Sequence, residues 1–286
     1  MEEGSAAFIV DSGSGFVKIG VAGDDSPKSY FPTIIGKPKQ PGQMIGMDQK
    51  DIYIGHEVTS KEGLLEISRP IVDGQIVDMA DMEKMWHHGF FNELQMTPED
   101  SPILLTETPG NSKKNREDLM QVMFEKFNVS SFYLALQQVL ALFASGKTTG
   151  VVLDSGYSLT STVPIYEGFA LSHAIQKMNL AGKHLTDYLM ELMKEENTTF
   201  SNIEETARHN ARDTKEKVCY VAADFEGSLK EYSENPNKQH VHRLPDGHDI
   251  TISTCPSTQK ARPSSAPKHS SSRPRSWGRS CWVPTS

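Results

Sequence analysis

Cysteine is scarce in this sequence, and its three copies are far apart and odd in number, which excludes the disulfide framework of a small secreted domain. No apolar run reaches the length of a membrane span. The N-terminal residues Met1-Glu2-Glu3-Gly4-Ser5 also lack the basic and apolar segments of a secretory signal. We therefore expect a protein of a reducing, intracellular compartment, without a membrane span.

Acidic residues are missing from one end of the chain only. Residues 1–254 carry 23 of the 29 basic and all 37 acidic residues, a formal charge of −14, which makes a nucleic-acid-binding face there unexpected. The last 32 residues contain nine Ser, five Pro and no hydrophobic periodicity. We predict a disordered basic Ser/Pro tail over residues 253–286, with a nuclear-localisation segment as the alternative interpretation of its charge.

One short pattern occurs twice. Ile9-Val10-Asp11-Ser12-Gly13 returns 143 positions later as Val152-Leu153-Asp154-Ser155-Gly156, in both cases between β-prone residues. Each copy predicts a hairpin with an acidic, glycine-containing tip. Glycine lets backbone N–H groups approach an anion closely, and paired aspartates can hold a cation and its waters. Two such tips facing each other would suit a metal–polyphosphate.

The segments between the two copies alternate between strand and helix. We predict paired strands over 7–23, a helix over 79–94, a strand over 102–107, a helix over 112–127, a short strand over 130–133 and a helix over 134–144. Further helices are expected over 181–192 and 206–221. This is an α/β chain. His87 and His88 point about 100° apart on a helix, so packing or solvation is expected for them rather than metal binding.

Several longer segments carry a family resemblance, nearly collinear from about residue 6 to 252. They include Val10-Asp11-Ser12-Gly13-Ser14-Gly15, Met44-Ile45-Gly46-Met47-Asp48-Gln49-Lys50-Asp51, Met82-Glu83-Lys84-Met85-Trp86-His87-His88, Lys215-Glu216-Lys217-Val218-Cys219-Tyr220 and Leu244-Pro245-Asp246-Gly247. On these residues the chain resembles actin and the actin-related proteins. Sugar kinases and 70-kDa chaperones share the fold class but not these segments.

The resemblance implies an α/β, actin-like ATPase (ribonuclease H-like) duplicated fold, with two lobes around a nucleotide cleft. By this likeness, residues 1–32 and 70–144 form the core of the first lobe, 33–69 a small loop-rich subdomain, 145–180 the core of the second lobe, and 181–252 a further subdomain. The likeness stops near Ile252. Another reading frame of residues 266–278 could encode a phrase typical of the family, so we interpret the tail as a truncated or frameshifted C-terminus.

The resemblance also assigns a site for ATP or ADP with Mg²⁺ or Ca²⁺. It implies that Ser14, Gly15, Lys18 and Gly156 contact phosphate, that Gly182 lines the cleft, and that Lys215 and Glu216 meet the ribose or adenine. Asp11 and Asp154 would hold the cation through its waters, with Asp154 also assigned to catalysis. Gln137 would position the attacking water.

The second hairpin departs from the family pattern at three positions. Tyr157 replaces an acid, Ser158 replaces a glycine, and Ser161 replaces the histidine that helps to organise the attacking water. Loss of a positioned water-orienting group typically costs on the order of 10²–10⁴ in rate. We expect ATP binding, and leave hydrolysis open.

Two functions follow from the resemblance. The first is an ATP-binding cytoskeletal filament subunit, located in the cytoplasm and cytoskeleton, with the nucleus as an alternative, and with other actin-family subunits and actin-binding proteins as partners. The Met44–Asp51 segment favours this one. The second is a non-polymerising actin-related adaptor in a motor or chromatin complex, with structural nucleotide and weak or no hydrolysis. Tyr157 and Ser161 favour the second. A metabolite kinase would need a phosphoacceptor site, which the sequence does not display.

Overall fold

The computed structural model of the chain describes residues 7–39, 50–195, 204–221, 224, 227, 230, 240–244, 249–252 and 282–284. The chain divides into two compact units, Met1–His184 and Leu185–Ser286. Both contain helices and strands, as the α/β prediction requires. The subdomain boundaries expected above stay predictions.

The first unit contains most of the β-structure. Its strands are β1 (Phe8–Ser12), β2 (Phe16–Val21), β3 (Ser29–Pro32), β4 (Ile35–Pro38), β5 (Tyr53–Ile54), β6 (Leu65–Ser68), β7 (Ile71–Val72), β8 (Gln75–Ile76), β9 (Pro102–Glu107), β10 (Ser131–Leu136), β11 (Gly150–Ser155), β12 (Thr160–Tyr166), β13 (Phe169–Ala170) and β14 (Gln176–Met178). Its helices are α1 (His56–Thr59), α2 (Met79–His87), α3 (Lys113–Glu125), α4 (Gln137–Ala144) and the start of α5 (Gly182–Glu195). Alpha-helix α2 continues as a π-helical segment, His88–Glu93.

The largest sheet has the strand order β10-β9-β1-β2-β3. Strands β1 and β2 form the expected antiparallel hairpin, whereas β9 pairs parallel with both β1 and β10. Parallel pairing places the carboxyl ends of β1, β9 and β10 at the same edge of the sheet. Asp11, Thr106 and Leu136 therefore end neighbouring strands on one side, and the site is built there.

The main core lies between this sheet and helices α2 and α3. Phe8 and Val10 of β1 pack with the fully buried Met82, Met85 and Trp86 of α2. Burying each such side chain stabilises the fold by about 1.5–3 kcal/mol. Both helices begin at a polar cap: the side chains of Asp78 and Ser112 accept hydrogen bonds from the backbone N–H groups of Asp81 and Asn115.

The second Asp-Ser-Gly copy also forms a hairpin, as predicted. Strands β11 and β12 pair antiparallel, and β12 additionally pairs with β13 and β14. The two hairpins share one register, because Ser12 faces Val17 in the first and Ser155 faces Thr160 in the second. The duplicated hairpin is thus confirmed, and the duplication of whole lobes stays a prediction.

Two smaller sheets lie between the hairpins in the sequence. The order of the first is β5-β4-β6, with its own core of Ile34, Tyr53, Val58 and Leu65; β7 and β8 form the second. The segment expected to be loop-rich therefore contains a small sheet. Most of the Met44–Asp51 segment, up to residue 49, lies outside the described residues.

The second unit contains most of α5 together with α6 (Glu204–Val218), β15 (Cys219–Val221), β16 (His240–Arg243), β17 (Asp249–Ile252) and β18 (Trp282–Pro284). Strands β16 and β17 form an antiparallel hairpin on either side of residues 245–248, which lie outside the described part. Met190, Met193, Ala207, Ala211 and Leu244 form its core. None of the helices that the structure describes is both long and apolar enough to cross a bilayer.

Several elements differ from their predicted extent. The helix expected from residue 134 begins at Gln137, because Leu134, Ala135 and Leu136 pair in register with β9. The helix expected to reach residue 221 ends at Val218, where β15 begins. Residues 282–284 of the expected irregular tail form β18, paired with β15. The rest of residues 253–286 lies outside the described residues.

Candidate functional site

The tips of the two Asp-Ser-Gly hairpins line one cavity of the first unit, with a volume of about 590 Å³. The ends of β9 and β10 and the start of α4 complete its wall, through Thr106, Gln137 and Gln138. Predicted site residues found together here are Asp11, Ser14, Gly15, Lys18, Gln137, Asp154 and Gly156. The structure thus places most of the predicted set around one space.

Both hairpin tips close with the same turn. The N–H of Gly13 donates to the carbonyl of Phe16 at 3.0 Å, and the N–H of Gly156 donates to that of Leu159 at 2.9 Å. In addition, the buried Thr33 holds the first tip by two bonds: its hydroxyl donates to the Gly13 carbonyl at 2.7 Å, and its N–H donates to the Gly15 carbonyl at 3.0 Å. The first tip is therefore fixed before any ligand arrives.

Asp11 is the most heavily bonded carboxylate in the cavity. Its Oδ1 accepts hydrogen bonds of 2.7 Å from both the Thr106 hydroxyl and the Gln137 amide nitrogen. Its Oδ2 lies 3.2 Å from the ammonium of Lys18, which stands opposite Asp11 in the hairpin register. The site combines a carboxylate with a cation whose side chain is about half exposed. Such a pair can serve a metal and an anionic group at once.

Asp154 has a separate set of partners. Its Oδ2 accepts a 2.9 Å hydrogen bond from the amide nitrogen of Gln138, which also donates to the Ser161 hydroxyl at 3.1 Å. The side chain of Gln138 is almost fully buried, and its Oε1 accepts no hydrogen bond from the described residues. A buried acceptor without a protein partner, beside a carboxylate, suits a bound water or hydrated cation.

Gly182 is hydrogen-bonded to the second tip. Its N–H, at the first residue of α5, donates to the carbonyl of Gly156 at 3.1 Å, and the N–H of Lys183 donates to that of Tyr157 at 2.7 Å. These are N–H groups that a helix leaves unpaired in its first turn. The start of α5 thus fixes the second tip in the way that Thr33 fixes the first.

The two tips also touch each other. The Ser158 hydroxyl donates to the Ser14 hydroxyl at 2.8 Å, and the Gly74 N–H donates to the same Ser14 oxygen at 3.1 Å. Gly74 has a φ of +77°, and a Cβ there would come within 2.8 Å of Thr108, so this turn requires glycine. Ser158 therefore contacts the opposite tip in this structure.

Lys215 and Glu216 lie on α6 in the second unit. The Lys215 ammonium is buried and donates to the Thr186 hydroxyl at 2.9 Å. Burial lowers the pKa of Lys215, against the opposing effect of the Glu216 charge. Glu216 itself pairs with Arg212 at 2.8 Å. The contact of these two residues with nucleotide stays a prediction.

The histidine pair behaves as the sequence predicts. The buried ring of His88 packs edge-on against Phe31 and lies 3.2 Å from Glu93, whereas the exposed His87 packs against Phe91. Among the residues that the structure describes, no group of three His, Cys, Asp or Glu side chains converges to hold a metal. The predicted water-mediated cation on Asp11 and Asp154 does not require such a group.

Comparison of the sequence with known proteins identifies a family. The family model described as actin matches residues 2–257. The chain belongs to the actin family. The predicted membership and the α/β, actin-like ATPase fold class are thereby confirmed. The matched residues include both hairpins and all the cavity residues named above.

Sequence reasoning missed the residues that hold the two carboxylates and the tips: Thr33, Thr106 and Gln138. Each is polar and buried in the structure. The signal for Gln138 was present, because Gln137-Gln138 interrupts an otherwise apolar helix. Thr106 offered a comparable signal, because it lies at the end of a predicted apolar strand. Polar residues after buried parallel strands often line sites.

Proposed function

We propose that this actin-family chain binds ATP or ADP with Mg²⁺ or Ca²⁺ in the cavity between the two hairpin tips. The observation that supports it most is the convergence of Asp11 and Lys18 from one hairpin and Asp154 from the other on one space. A polyphosphate with a divalent cation has negative oxygens for Lys18 and glycine N–H groups, and a hydrated metal for the carboxylates.

The contacts of each residue indicate its role in binding the nucleotide and the metal. Asp11 is held by Thr106 and Gln137, and Asp154 by Gln138, so both carboxylates can accept hydrogen bonds from metal-bound waters without moving. Because the amide nitrogen of Gln137 donates to Asp11, the amide oxygen of Gln137 is left to orient a water. The bound cation would neutralise phosphate charge. Ser161 accepts a bond from Gln138 where the family carries a histidine, so we expect slow hydrolysis.

Binding of Mg-ATP to the purified chain, measured by calorimetry, tests this proposal. We expect Asp11→Asn to weaken Mg-ATP binding by about 10- to 100-fold, because a carboxylate that serves a cation is lost. Asp24→Asn is the matched control: Asp24 is an exposed acid that pairs with Lys28 at 3.6 Å, away from the cavity. Equal affinity for the wild type and Asp11→Asn would contradict the proposal.

At the level of assembly we propose a cytoskeletal filament subunit or actin-like component of the cytoplasm, with actin-family subunits and actin-binding proteins as partners. A non-polymerising adaptor is the second candidate, favoured by the direct contact of Tyr157 and Ser158 with the opposite tip. Sedimentation with and without Mg-ATP at several salt concentrations separates them, since only a filament subunit pellets in response to nucleotide.

A further inference from the structure

Two residues that depart from the family pattern join the hairpin tips to each other. Ser158 donates a hydrogen bond of 2.8 Å to Ser14, and both side chains are almost completely buried, at 4% and 8% exposed. Such a bond between nearly buried hydroxyls holds the two loops together. At 2.8 Å the two oxygens leave no room for a ligand atom between them.

Tyr157 packs against Gly15, the neighbour of Ser14 in the first tip. A Cβ placed on Gly15 would lie 2.9 Å from the Tyr157 Cβ, so the tyrosine packs directly on the first tip's backbone. Its ring lies 5.8 Å from the Arg69 guanidinium, and its carbonyl accepts the Lys183 N–H. The tyrosine is thus held by the backbone of α5 on one side and by Arg69 on the other.

The bonds of Ser14 show what an anion would have to displace. A serine hydroxyl has one hydrogen to donate and two acceptor positions. In Ser14 the acceptor positions are taken by the Gly74 N–H and the Ser158 hydroxyl. The Ser14 hydrogen is left to donate to an anionic oxygen, but such an oxygen cannot lie between the tips until the Ser158 hydroxyl, 2.8 Å from that of Ser14, moves away and the Tyr157 side chain leaves Gly15.

We propose that Tyr157 and Ser158 form a latch between the hairpin tips, and that this latch must open before a polyphosphate can enter. It sets the rate of entry and lowers affinity by the cost of opening. This inference rests on the proposed function only in that the entering group is the polyphosphate of a nucleotide.

The association rate of a fluorescent ATP analogue with Mg²⁺, measured by stopped flow, tests the latch. We expect Ser158→Ala and Tyr157→Ala each to raise the association rate by about 2- to 10-fold, the range that corresponds to losing one intramolecular hydrogen bond or a similar contact. Tyr157→Phe keeps the ring packing and should leave the rate unchanged. Ser155→Ala, which removes a hydroxyl bonded within the second hairpin to Thr160, is the matched control.

An unchanged or lower rate in both alanine variants, with folding verified by circular dichroism, would overturn the latch while leaving nucleotide binding intact. If the wild type binds no Mg-ATP, the proposed function fails, and inorganic triphosphate is then the probe. Binding of triphosphate by the alanine variants alone supports the latch. Binding by none of the proteins contradicts it.

A second readout needs no ligand. If Ser14 and Ser158 are bonded as described, the melting-temperature losses of Ser14→Ala and Ser158→Ala should not add, because either change removes the same bond. Additive losses would show that the two hydroxyls act independently, which also overturns the latch.

Discussion

Asp11 is the residue on which the polar contacts of the cavity converge. Thr106, Gln137 and Lys18 come from three different elements and all bond to its carboxylate. A carboxylate with both oxygens bonded is held in one orientation, which is what a group must have to bind a hydrated cation without rearrangement. More contacts therefore fix the orientation of this carboxylate than fix that of Asp154.

The buried His88 makes the stability of the fold depend on pH. Burial lowers the pKa of His88 below its ordinary value of 6.5, although the charges of Glu93 and Glu57 oppose the shift and that of Lys50 assists it. The folded state then binds this proton less readily than the unfolded state. The stability that the neutral His88 ring contributes to the fold is therefore fully present above pH 6.5. It is lost as the pH falls below 6.5, because the unfolded chain takes up the proton more readily.

We therefore expect His88→Gln to be less stable than the wild type at pH 7.5, with the gap in melting temperature narrowing between pH 6.5 and pH 5. The exposed neighbour His87→Gln is the control, and its gap should stay constant. Melting temperatures between pH 7.5 and pH 5, measured by circular dichroism, test this prediction. A gap for His88→Gln that widens on acidification would show that the histidine is charged when folded.

At this scale the sequence predicts the acidic tips but not Thr106 and Gln138, which bond to their carboxylates. Asp11 and Asp154 stand out because the Asp-Ser-Gly pattern is repeated. Thr106 lies 95 residues from Asp11 in the chain, and only strand pairing brings the two together. Likewise, the sequence indicates that Ser158 replaces a glycine, whereas the bond of its hydroxyl to Ser14 depends on how two distant tips approach.

Among the elements, the two hairpins match in register but differ in what covers them. Phe8 and Val10 of β1 are 1% and 0% exposed, because α2 and α3 pack on that face and β9 pairs with the strand. The matching residues of β11, Val151 and Leu153, are 66% and 58% exposed. No second strand among the described residues pairs with β11. An open edge beside exposed apolar side chains favours association between chains.

We expect Val151→Lys to reduce concentration-dependent association of the purified chain, because it places a charge on this open edge. Sedimentation velocity at several protein concentrations measures the effect. Met120→Lys is the control, since Met120 is an exposed apolar residue on α3. The same reduction in both variants would mean that the added charge, and not the β11 edge, is responsible.

Element prediction succeeded where local pattern and tertiary pairing agree. The strand Pro102–Glu107 has the extent expected from hydrophobic spacing, and the helix capped by Ser112 begins where expected and ends two residues early, at Glu125. It was wrong at Leu134–Leu136, whose apolar, helix-prone residues pair with β9 instead. Pairing in a parallel sheet outweighs a few tenths of a kcal/mol of helix propensity, and a single local window does not contain that information.

For the whole molecule, the family match and the chemistry of the cavity both support the proposed nucleotide site. The family match spans residues 2–257, and the cavity lies in the first unit with carboxylates from both hairpins on its wall. The sequence predicted the α/β class from the alternation of strands and helices, and it predicted the two acidic tips of this wall from the repeated hairpin. Ser14, Lys18 and Gln137 were implied by the family resemblance. The relation of Lys215 and Glu216 to the nucleotide depends on how separate parts of the chain come together, which no local pattern encodes.

The most direct test of nucleotide binding between the tips is hydrogen–deuterium exchange of the full chain with and without saturating Mg-ATP. We predict slower exchange in peptides that cover Asp11 to Lys18 and Asp154 to Thr160, because both tips contact the bound group. Peptides of α3, which lies outside the cavity wall, provide the internal reference. Protection of both tips would support the account, and Mg-ATP binding that leaves either tip unprotected would contradict it.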